Sequence, residues 1–210
     1  MPTRVFVLRH GESADPTVFH GAESDVGLSE RGRRQAEAVA PLLAAYAPDA
    51  VVSSAMRRAL DTAAPTAAAC GRPVLVEPRL HERRVGSLSG TPFAAADGVW
   101  PATLRRWAAG ETSYAPPGAE SFDDIRGRVL PAWERLTRDH EGRCLVVVAH
   151  GVVCKVLFLS LLPGFSPADW ERLGPIRNAA LTELAGSAGR WRARRVNELP
   201  EEVARLEKVR

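Results

Sequence analysis

Short apolar runs alternate along the chain with longer stretches in which apolar residues recur at helical spacing. The run at 4–8 leads through a loop to Ser29, which can cap a helix whose apolar residues share one face. The run at 145–149 is the most continuous, which is typical of a strand buried on both faces, and a helical stretch follows at 152–162. This alternation predicts an α/β fold.

The same pattern predicts the other elements. Ser54 is expected to cap the second helix, and Ser121 with Asp124 matches a capping box at the start of a long helix. The segment 89–118 is rich in Pro, Gly and Trp, and we interpret it as a lid or substrate-side insertion within a single domain spanning 1–210. The remaining predicted strands are 50–53, 73–76, 180–184 and 191–196, and the remaining helices are 54–70, 103–108, 121–140 and 201–209.

Composition agrees with this interpretation, and the charge balance narrows the class of ligand. With 45% hydrophobic and 25% charged residues among 210, the chain suits one globular domain rather than a disordered segment. The net charge is only +3, and the basic residues are scattered arginines rather than a block. A small anionic substrate therefore fits better than nucleic acid.

The cysteines and the apolar runs bear on the cellular compartment. An odd number of cysteines without paired spacing predicts reduced core thiols at Cys70, Cys144 and Cys154. No apolar run approaches membrane-spanning length, and the amino-terminal segment lacks the pattern of a secretory leader. We therefore expect a cytoplasmic protein with no membrane partner, while the oligomeric state stays open.

Chemically active side chains follow the predicted strands. Arg9 and His10 come directly after the first strand, and Arg58 lies early in the helix after the second. Glu82 comes after the third strand, and His150 follows the most continuous run. In open α/β sheets, ligands bind beyond the carboxyl ends of the strands, where helix amino termini also point. We therefore expect imidazoles, guanidinium groups and a carboxyl group at one edge, a set suited to a phosphoryl group.

Each of these groups has a role that phosphoryl transfer requires. Arginine forks and an imidazolium can hold the equatorial oxygens of the phosphoryl group without a metal ion. The neutral imidazole of His10 is competent as a nucleophile, and a covalent intermediate splits one hard step into two. A carboxyl group that stays protonated in a partly buried, anion-occupied site can protonate the leaving oxygen, and Glu82 is the candidate.

Ordered motifs surround these positions. The chain reads Arg-His-Gly-Glu at 9–12 and Val-Ala-His-Gly at 148–151. Four further motifs lie between them: Asp25-x-x-Leu28-Ser29-x-x-Gly32-x-x-Gln35-Ala36, Ser54-x-x-x-Arg58-Ala59-x-x-Thr62-Ala63, Leu80-x-Glu82-x-x-x-Gly86-x-x-x-Gly90 and Pro117-Gly118-x-Glu120-Ser121. In these motifs and their order, from Arg9 to about Leu184, the chain resembles the histidine phosphatase superfamily, in its phosphoglycerate-mutase-like branch.

The resemblance implies a fold and a set of roles. The fold would be a three-layer sandwich with a mostly parallel central sheet and helices on both faces. His10 would be the phosphorylated nucleophile, and Glu82 the proton donor that later serves as the base for water. The phosphoryl oxygens would be held by Arg9, Arg58 and His150. No metal and no organic cofactor are expected.

The chain departs from the family after Ser13. The family commonly continues with x-Trp-Asn, whereas Asp15 and Pro16 stand in the places of the Trp and the Asn. An asparagine contact to phosphate is therefore missing or supplied from elsewhere in the chain.

The candidate residues also have structural alternatives. Glu82 lies amid Arg79, Arg83 and Arg84 and could belong to a cluster of surface ion pairs. An unpaired Arg58 would meet the positive pole of its own helix, which favours a bound anion there. The absence of HExxH and paired CxxC argues against zinc. Structural or surface roles are favoured over substrate contact for Ser29, Glu120, Ser121, His20, His81 and His140.

Three functions are compatible with these residues. The favoured one is a phosphomonoester hydrolase that acts on a small phosphorylated metabolite through a phosphohistidine at His10. The alternatives are a cofactor-dependent phosphoglycerate mutase and a non-catalytic phosphate-ester-binding protein. Val85 stands where mutases resembling this branch carry Tyr, and a binding module would need no nucleophile. Four residues of the insertion could either contact the substrate or pack the lid onto the body: Trp100, Arg105, Arg106 and Trp107.

Overall fold

The computed structural model describes residues 1–95, 98–187 and 189–208. Its strands are β1 (Thr3–Arg9), β2 (Ala50–Ser53), β3 (Val74–Val76), β4 (Cys144–Ala149), β5 (Leu181–Ser187) and β6 (Arg190–Glu198). Among the described residues they form one sheet in the order β3-β2-β4-β1-β5-β6. The pairs among β1 to β4 are parallel, whereas β5 is antiparallel to both of its neighbours. The predicted α/β fold with a mostly parallel sheet is confirmed.

Helices cover both faces of this sheet. The helices are α1 (Glu30–Ala44), α2 (Arg57–Ala69), α3 (Val99–Ala108), α4 (Phe122–Asp139), α5 (Gly151–Leu161) and α6 (Glu201–Lys208). Side chains alternate along β1, so Phe6 and Leu8 pack into a core shared with α1, α2 and α6. Val5 and Val7 pack into the opposite core, shared with α3, α4 and α5. These three layers are those that the resemblance implies.

Local sequence explains two of the helix starts. Ser29 accepts a hydrogen bond from the backbone of Gly32 at 3.0 Å, which caps α1, and Ser121 forms a reciprocal capping box with Asp124 at the start of α4. The prediction that Ser54 caps the second helix is wrong. The helix begins three residues later, with no side-chain cap, and the Ser54 hydroxyl contacts another residue described below.

The insertion predicted at 89–118 contains α3, which begins earlier than the predicted 103–108. Its Trp107 ring is buried and lies 5.5 Å from Trp100 and 5.4 Å from Trp170, all in edge-on contacts between ring centroids. This part of the insertion is therefore packed onto the body. Residues 96 and 97 of the insertion and Val209 of the last predicted helix lie outside the described residues. Within the described chain, no helix combines the length and apolar character needed to cross a membrane.

Candidate active site

Three neighbouring strands deliver side chains to one edge of the sheet. His10 follows β1, Ser54 follows β2 and His150 follows β4, and these strands lie side by side in the order β2-β4-β1. Because parallel strands end at the same edge, residues far apart in the chain become neighbours there. The ring centroids of His10 and His150 are 5.1 Å apart. The structure thus brings together the two histidines that the sequence singled out.

His10 is held as a neutral ring with one nitrogen free. The residue is only 3% exposed, and its Nδ1 lies 2.6 Å from the carbonyl oxygen of Gly11. A carbonyl oxygen can only accept, so Nδ1 carries the proton and Nε2 keeps its lone pair. Burial, followed by the charges of Arg9 and Arg58, lowers the pKa of His10 well below its ordinary value. A neutral imidazole with a free Nε2 is the form that can attack phosphorus.

His150 has one ring nitrogen in use and one without a partner. Its Nε2 lies 2.9 Å from the Ser54 hydroxyl, while its buried Nδ1 has no hydrogen-bond partner among the described residues. Burial, then the nearby His10 and Arg58, lowers the pKa of His150 well below its ordinary value. A buried polar nitrogen without a partner is costly, so a ligand that supplies an oxygen there would stabilise the site.

The two arginines of the site keep their positive charge without a carboxylate in contact. Arg9 donates from Nη1 to the carbonyl of Ile176 at 2.7 Å, and its Nε is buried without a partner within the described chain. Arg58 donates from Nη1 to the carbonyl of Ser24 at 2.8 Å. No ion pair of either arginine lies within 4.0 Å among the described residues. Carbonyl oxygens orient these guanidinium groups but do not neutralise them, so the site favours an anion.

Glu82 is the acidic group of the site. It is 9% exposed, and its Oε1 accepts a hydrogen bond from the backbone of Arg83 at 2.9 Å. One ligand atom from each of His10, Glu82 and His150 lies within 4.8 Å of the others. The alternative of a surface ion-pair cluster is wrong, because Glu82 and Arg83 are both buried and form no ion pair among the described residues.

Two imidazoles and one carboxylate could also ligate a metal ion. The surrounding charges oppose this, because the guanidinium groups of Arg9 and Arg58 face the same site and repel a cation. The same charges attract a phosphate dianion. The electrostatics therefore favour a phosphoryl group over a metal ion between these three side chains.

A cavity of about 630 Å³ opens in front of these residues. This volume is typical of sites for metabolite-sized ligands, which span about 300–1,000 Å³. Of the insertion residues left open above, Trp100 lines the cavity, whereas Trp107 is buried in the core. Arg105 and Arg106 are exposed and are not among the lining residues, and Arg106 pairs with Glu111 at 2.7 Å. The arginines of the insertion therefore do not serve this cavity.

The loop after β1 shows what stands in place of the family's Trp-Asn. Asp15 adopts a positive φ of 51° and accepts a hydrogen bond from Thr17 at 2.7 Å, and Pro16 lines the cavity. An asparagine does reach the site, but from the loop before β5. Asn178 lines the cavity and donates to the His10 carbonyl at 2.9 Å. Sequence analysis missed Asn178, because a loop asparagine carries no periodic signal.

The other polar residues of the motifs have structural contacts. Ser29 donates to Glu12 at 2.8 Å, which ties α1 to the loop after β1, and Glu120 pairs with Arg128 at 2.8 Å. His20 uses both ring nitrogens, toward Ser24 and the carbonyl of Asp15, each at 2.8 Å, although it lines the cavity.

Comparison with known proteins agrees with this geometry. The model of the histidine phosphatase superfamily (branch 1) matches residues 5–199. The chain belongs to the histidine phosphatase superfamily. The resemblance carried by the motifs around His10 and His150 is therefore confirmed.

Relatives of this histidine phosphatase include enzymes from bacteria and plants. It is 35% identical over 191 residues to the glucosyl-3-phosphoglycerate phosphatase of Mycolicibacterium vanbaalenii, covering 87% of this chain and 84% of the relative. It is 35% identical over 195 residues to the metal-independent phosphoserine phosphatase of Arabidopsis thaliana, covering 90% of this chain and 79% of the relative. A solved complex of mycobacterial glucosyl-3-phosphoglycerate phosphatase with inorganic phosphate superposes with a TM-score of 0.79 at 35% identity, covering 92% of this chain and 96% of that chain.

Proposed function

We propose that this histidine phosphatase hydrolyses small phosphomonoesters by transferring the phosphoryl group to Nε2 of His10 and then to water. The observation that carries the proposal is the state of His10: a buried, neutral ring whose Nδ1 proton is directed at the Gly11 carbonyl, beside two guanidinium groups without carboxylate partners. The relatives named above are phosphatases of small phosphorylated metabolites, and one is named as metal-independent.

In the first step, the lone pair of His10 Nε2 forms a bond to phosphorus while the phosphorus–oxygen bond of the ester breaks. The oxygen of the departing alcohol takes a proton from the Glu82 carboxyl group. Glu82 is then a carboxylate. In the second step, water attacks the phosphohistidine, Glu82 accepts the proton of that water, and the phosphorus–nitrogen bond breaks. His10 returns to its neutral form and Glu82 to its protonated form, so the cycle closes.

The phosphoryl oxygens carry the charge that develops during both transfers. Arg9, Arg58 and the Nδ1 of His150 are the groups that would hold them. Arg9 Nε and His150 Nδ1 have no partner among the described residues, and Arg58 lines the cavity with hydrogen bonds from its terminal nitrogens only. Fixed donors stabilise the developing charge without reorganisation, which is the largest contribution to catalysis in such sites. All three cysteines are free thiols, which supports the expectation of a reducing compartment such as the cytoplasm.

The test is to follow both turnover and covalent phosphate. Wild-type protein should hydrolyse p-nitrophenyl phosphate and, quenched during turnover of a radiolabelled ester, should carry acid-labile phosphate on His10. His10→Ala should lower kcat by more than about a thousandfold and carry no label, while it unfolds cooperatively. His140→Ala is the matched control, because His140 lies at the end of α4 and bonds to the carbonyl of Leu136.

The alternatives give different results in the same experiment. Retained turnover in His10→Ala, or loss of activity after dialysis against a metal chelator, would contradict the proposal. Transfer of the label to a phosphoglycerate hydroxyl in preference to water would identify a mutase. Binding of phosphate esters with neither turnover nor label would identify a binding protein.

A further inference from the structure

A second positive group in the cavity plays no part in the chemistry described above. Arg83 is only 1% exposed, yet its guanidinium makes no hydrogen bond and no ion pair with any described residue. Its Nε and Nη2 are both buried without a partner, and the residue lines the cavity. Burial lowers the pKa of Arg83 to about 10, an effect partly offset by the nearby carboxyl groups of Glu82, Glu120 and Glu23, so Arg83 stays charged near neutral pH. A buried, charged fork without an acceptor is costly unless a ligand supplies one.

Two tryptophans hold this guanidinium in place. Its central carbon lies 4.2 Å from the ring centroid of Trp100 and 5.5 Å from that of Trp107. Cation–π contacts of this kind stabilise the charge through the ring faces. They do not accept hydrogen bonds in the plane of the guanidinium, so Nε and Nη2 of Arg83 still lack an acceptor among the described residues.

A lysine lies over the neighbouring ring of the same aromatic cluster. Lys155 is 5% exposed, and its Nζ lies 4.4 Å from the ring centroid of Trp170, which is 6.1 Å from that of Trp100. Lys155 forms no ion pair within the described chain, and the exposed Glu171 is a nearby opposite charge that raises its pKa slightly against the effect of burial. Burial lowers the pKa of Lys155 to about 8. The wall of the cavity that carries these tryptophans therefore presents two positive charges near neutral pH.

We propose that Arg83 and Lys155 form a leaving-group subsite, which binds a carboxylate on the alcohol part of the phosphate ester. The inference rests on the proposed function, because the phosphoryl group itself is assigned to Arg9, Arg58 and His150. The planar fork of Arg83 matches a carboxylate, and the side chains of Trp100 and Trp170, which line the cavity, can pack against the carbon chain that joins the carboxylate to the ester. Because the carboxylates of Glu120 and Glu23 already lie near Arg83, a ligand with a single negative charge fits this subsite better than a second phosphate dianion.

Matched pairs of esters that differ in a carboxylate test this subsite. O-phosphoserine pairs with O-phosphoethanolamine, and 3-phosphoglycerate pairs with glycerol 3-phosphate. Wild-type protein should prefer the carboxylated member of each pair in kcat/KM by about tenfold to a hundredfold. Arg83→Met should bring this ratio close to one, and Lys155→Gln should lower it by a smaller factor. Arg105→Met, an exposed arginine outside the cavity, should keep the wild-type ratio.

The ratio of kcat/KM values within each pair of esters tests the subsite even if one variant is unstable. An unchanged ratio in Arg83→Met, or in Lys155→Gln when Arg83→Met does not fold, overturns the subsite. A kcat/KM ratio near one in the wild-type protein also overturns the subsite. A preference for glucose 1,6-bisphosphate over glucose 6-phosphate that Arg83→Met removes would assign the subsite to a second phosphate and overturn the carboxylate.

Failure of the proposed function is separable from failure of the subsite. If the wild-type protein hydrolyses no ester, calorimetric titration with 3-phosphoglycerate and glycerol 3-phosphate measures the same preference as a ratio of Kd values. A preference that depends on Arg83 then supports the subsite without catalysis, and equal Kd values overturn it.

Discussion

His10 combines two properties that its residue type alone does not guarantee. Its ordinary pKa of 6.5 would leave the ring partly protonated near neutral pH, and burial beside guanidinium groups lowers the pKa well below that value. The Gly11 carbonyl at 2.6 Å then decides which nitrogen keeps the proton. The residue is therefore a neutral nucleophile with Nε2 free, in a site whose positive charge comes from arginine.

The acid role of Glu82 can be tested by varying the leaving group. A phenolate leaves without help, whereas an alkoxide needs a proton, so Glu82→Gln should slow glycerol 3-phosphate by about 10²–10⁴-fold and p-nitrophenyl phosphate by less than about tenfold. Steady-state kcat/KM on both esters measures the difference, because it reports the first transfer alone and not the hydrolysis of the phosphohistidine, in which Glu82 acts as the base. Glu111→Gln is the control, since Glu111 pairs with Arg106 on the surface. Equal slowing of both esters would remove Glu82 from the acid role.

For single residues, the sequence predicted the site residues that directly follow strands. It did not predict those whose position depends on tertiary packing. His10 and Glu82 could be proposed because strand ends in α/β sheets converge. Arg83 looked like part of a surface ion-pair cluster, since a charged run is normally solvated. Its burial depends on Trp100, which arrives from a separate part of the chain. Asn178 likewise reaches His10 from a loop more than a hundred residues away.

At the scale of elements, the strands of the described chain were predicted, most clearly β4, because a strand buried on both faces needs continuous apolar residues. Helix starts were predictable where a side chain caps the backbone, as at Ser29 and Ser121. They were not predictable at α2, which has no side-chain cap. The antiparallel direction of β5 and the order of the strands depend on how the connections cross the sheet, which no local pattern records.

The contact between the first turn of α1 and the loop after β1 should affect both stability and activity. A β-carbon at Gly32 would overlap the carbonyl oxygen of Glu12, so Gly32→Ala must displace the loop that carries His10. We expect a loss of about 1–3 kcal/mol in the free energy of unfolding. We also expect a fall of about tenfold to a hundredfold in kcat/KM for p-nitrophenyl phosphate, because small displacements of a nucleophile are costly.

Ser121→Ala provides the comparison for Gly32→Ala. It removes the cap of α4 and should cost about 1 kcal/mol of unfolding free energy in urea titrations. Ser121 does not line the cavity, so kcat/KM should stay at the wild-type level. If Gly32→Ala lost stability and kept full activity, the contact between α1 and the loop after β1 would have no role in placing His10.

At the scale of the whole molecule, the buried histidines should make stability depend on pH. Burial lowers the pKa values of both His10 and His150 well below 6.5 in the folded protein, whereas in the unfolded chain both titrate near 6.5. As the pH falls through 6.5 the unfolded state binds more protons than the folded state, so stability must fall, and above about pH 7.5 these groups add no slope. We expect the free energy of unfolding to fall between about pH 6.5 and 5, by up to about 1.4 kcal/mol per pH unit for each imidazole.

Urea titrations in buffers without phosphate measure this slope. Carboxylates with lowered pKa values, such as Glu120 and Asp49, begin to lose their contribution only below about pH 4.5, so the window from 5 to 6.5 isolates the histidines. His140→Gln should keep the slope, and His10→Gln combined with His150→Gln should reduce it. A bound phosphate dianion would offset the charge of a protonated ring, so saturating inorganic phosphate should also reduce the slope in the wild-type protein. A slope that persists in the double variant would mean that the pH dependence arises outside this site.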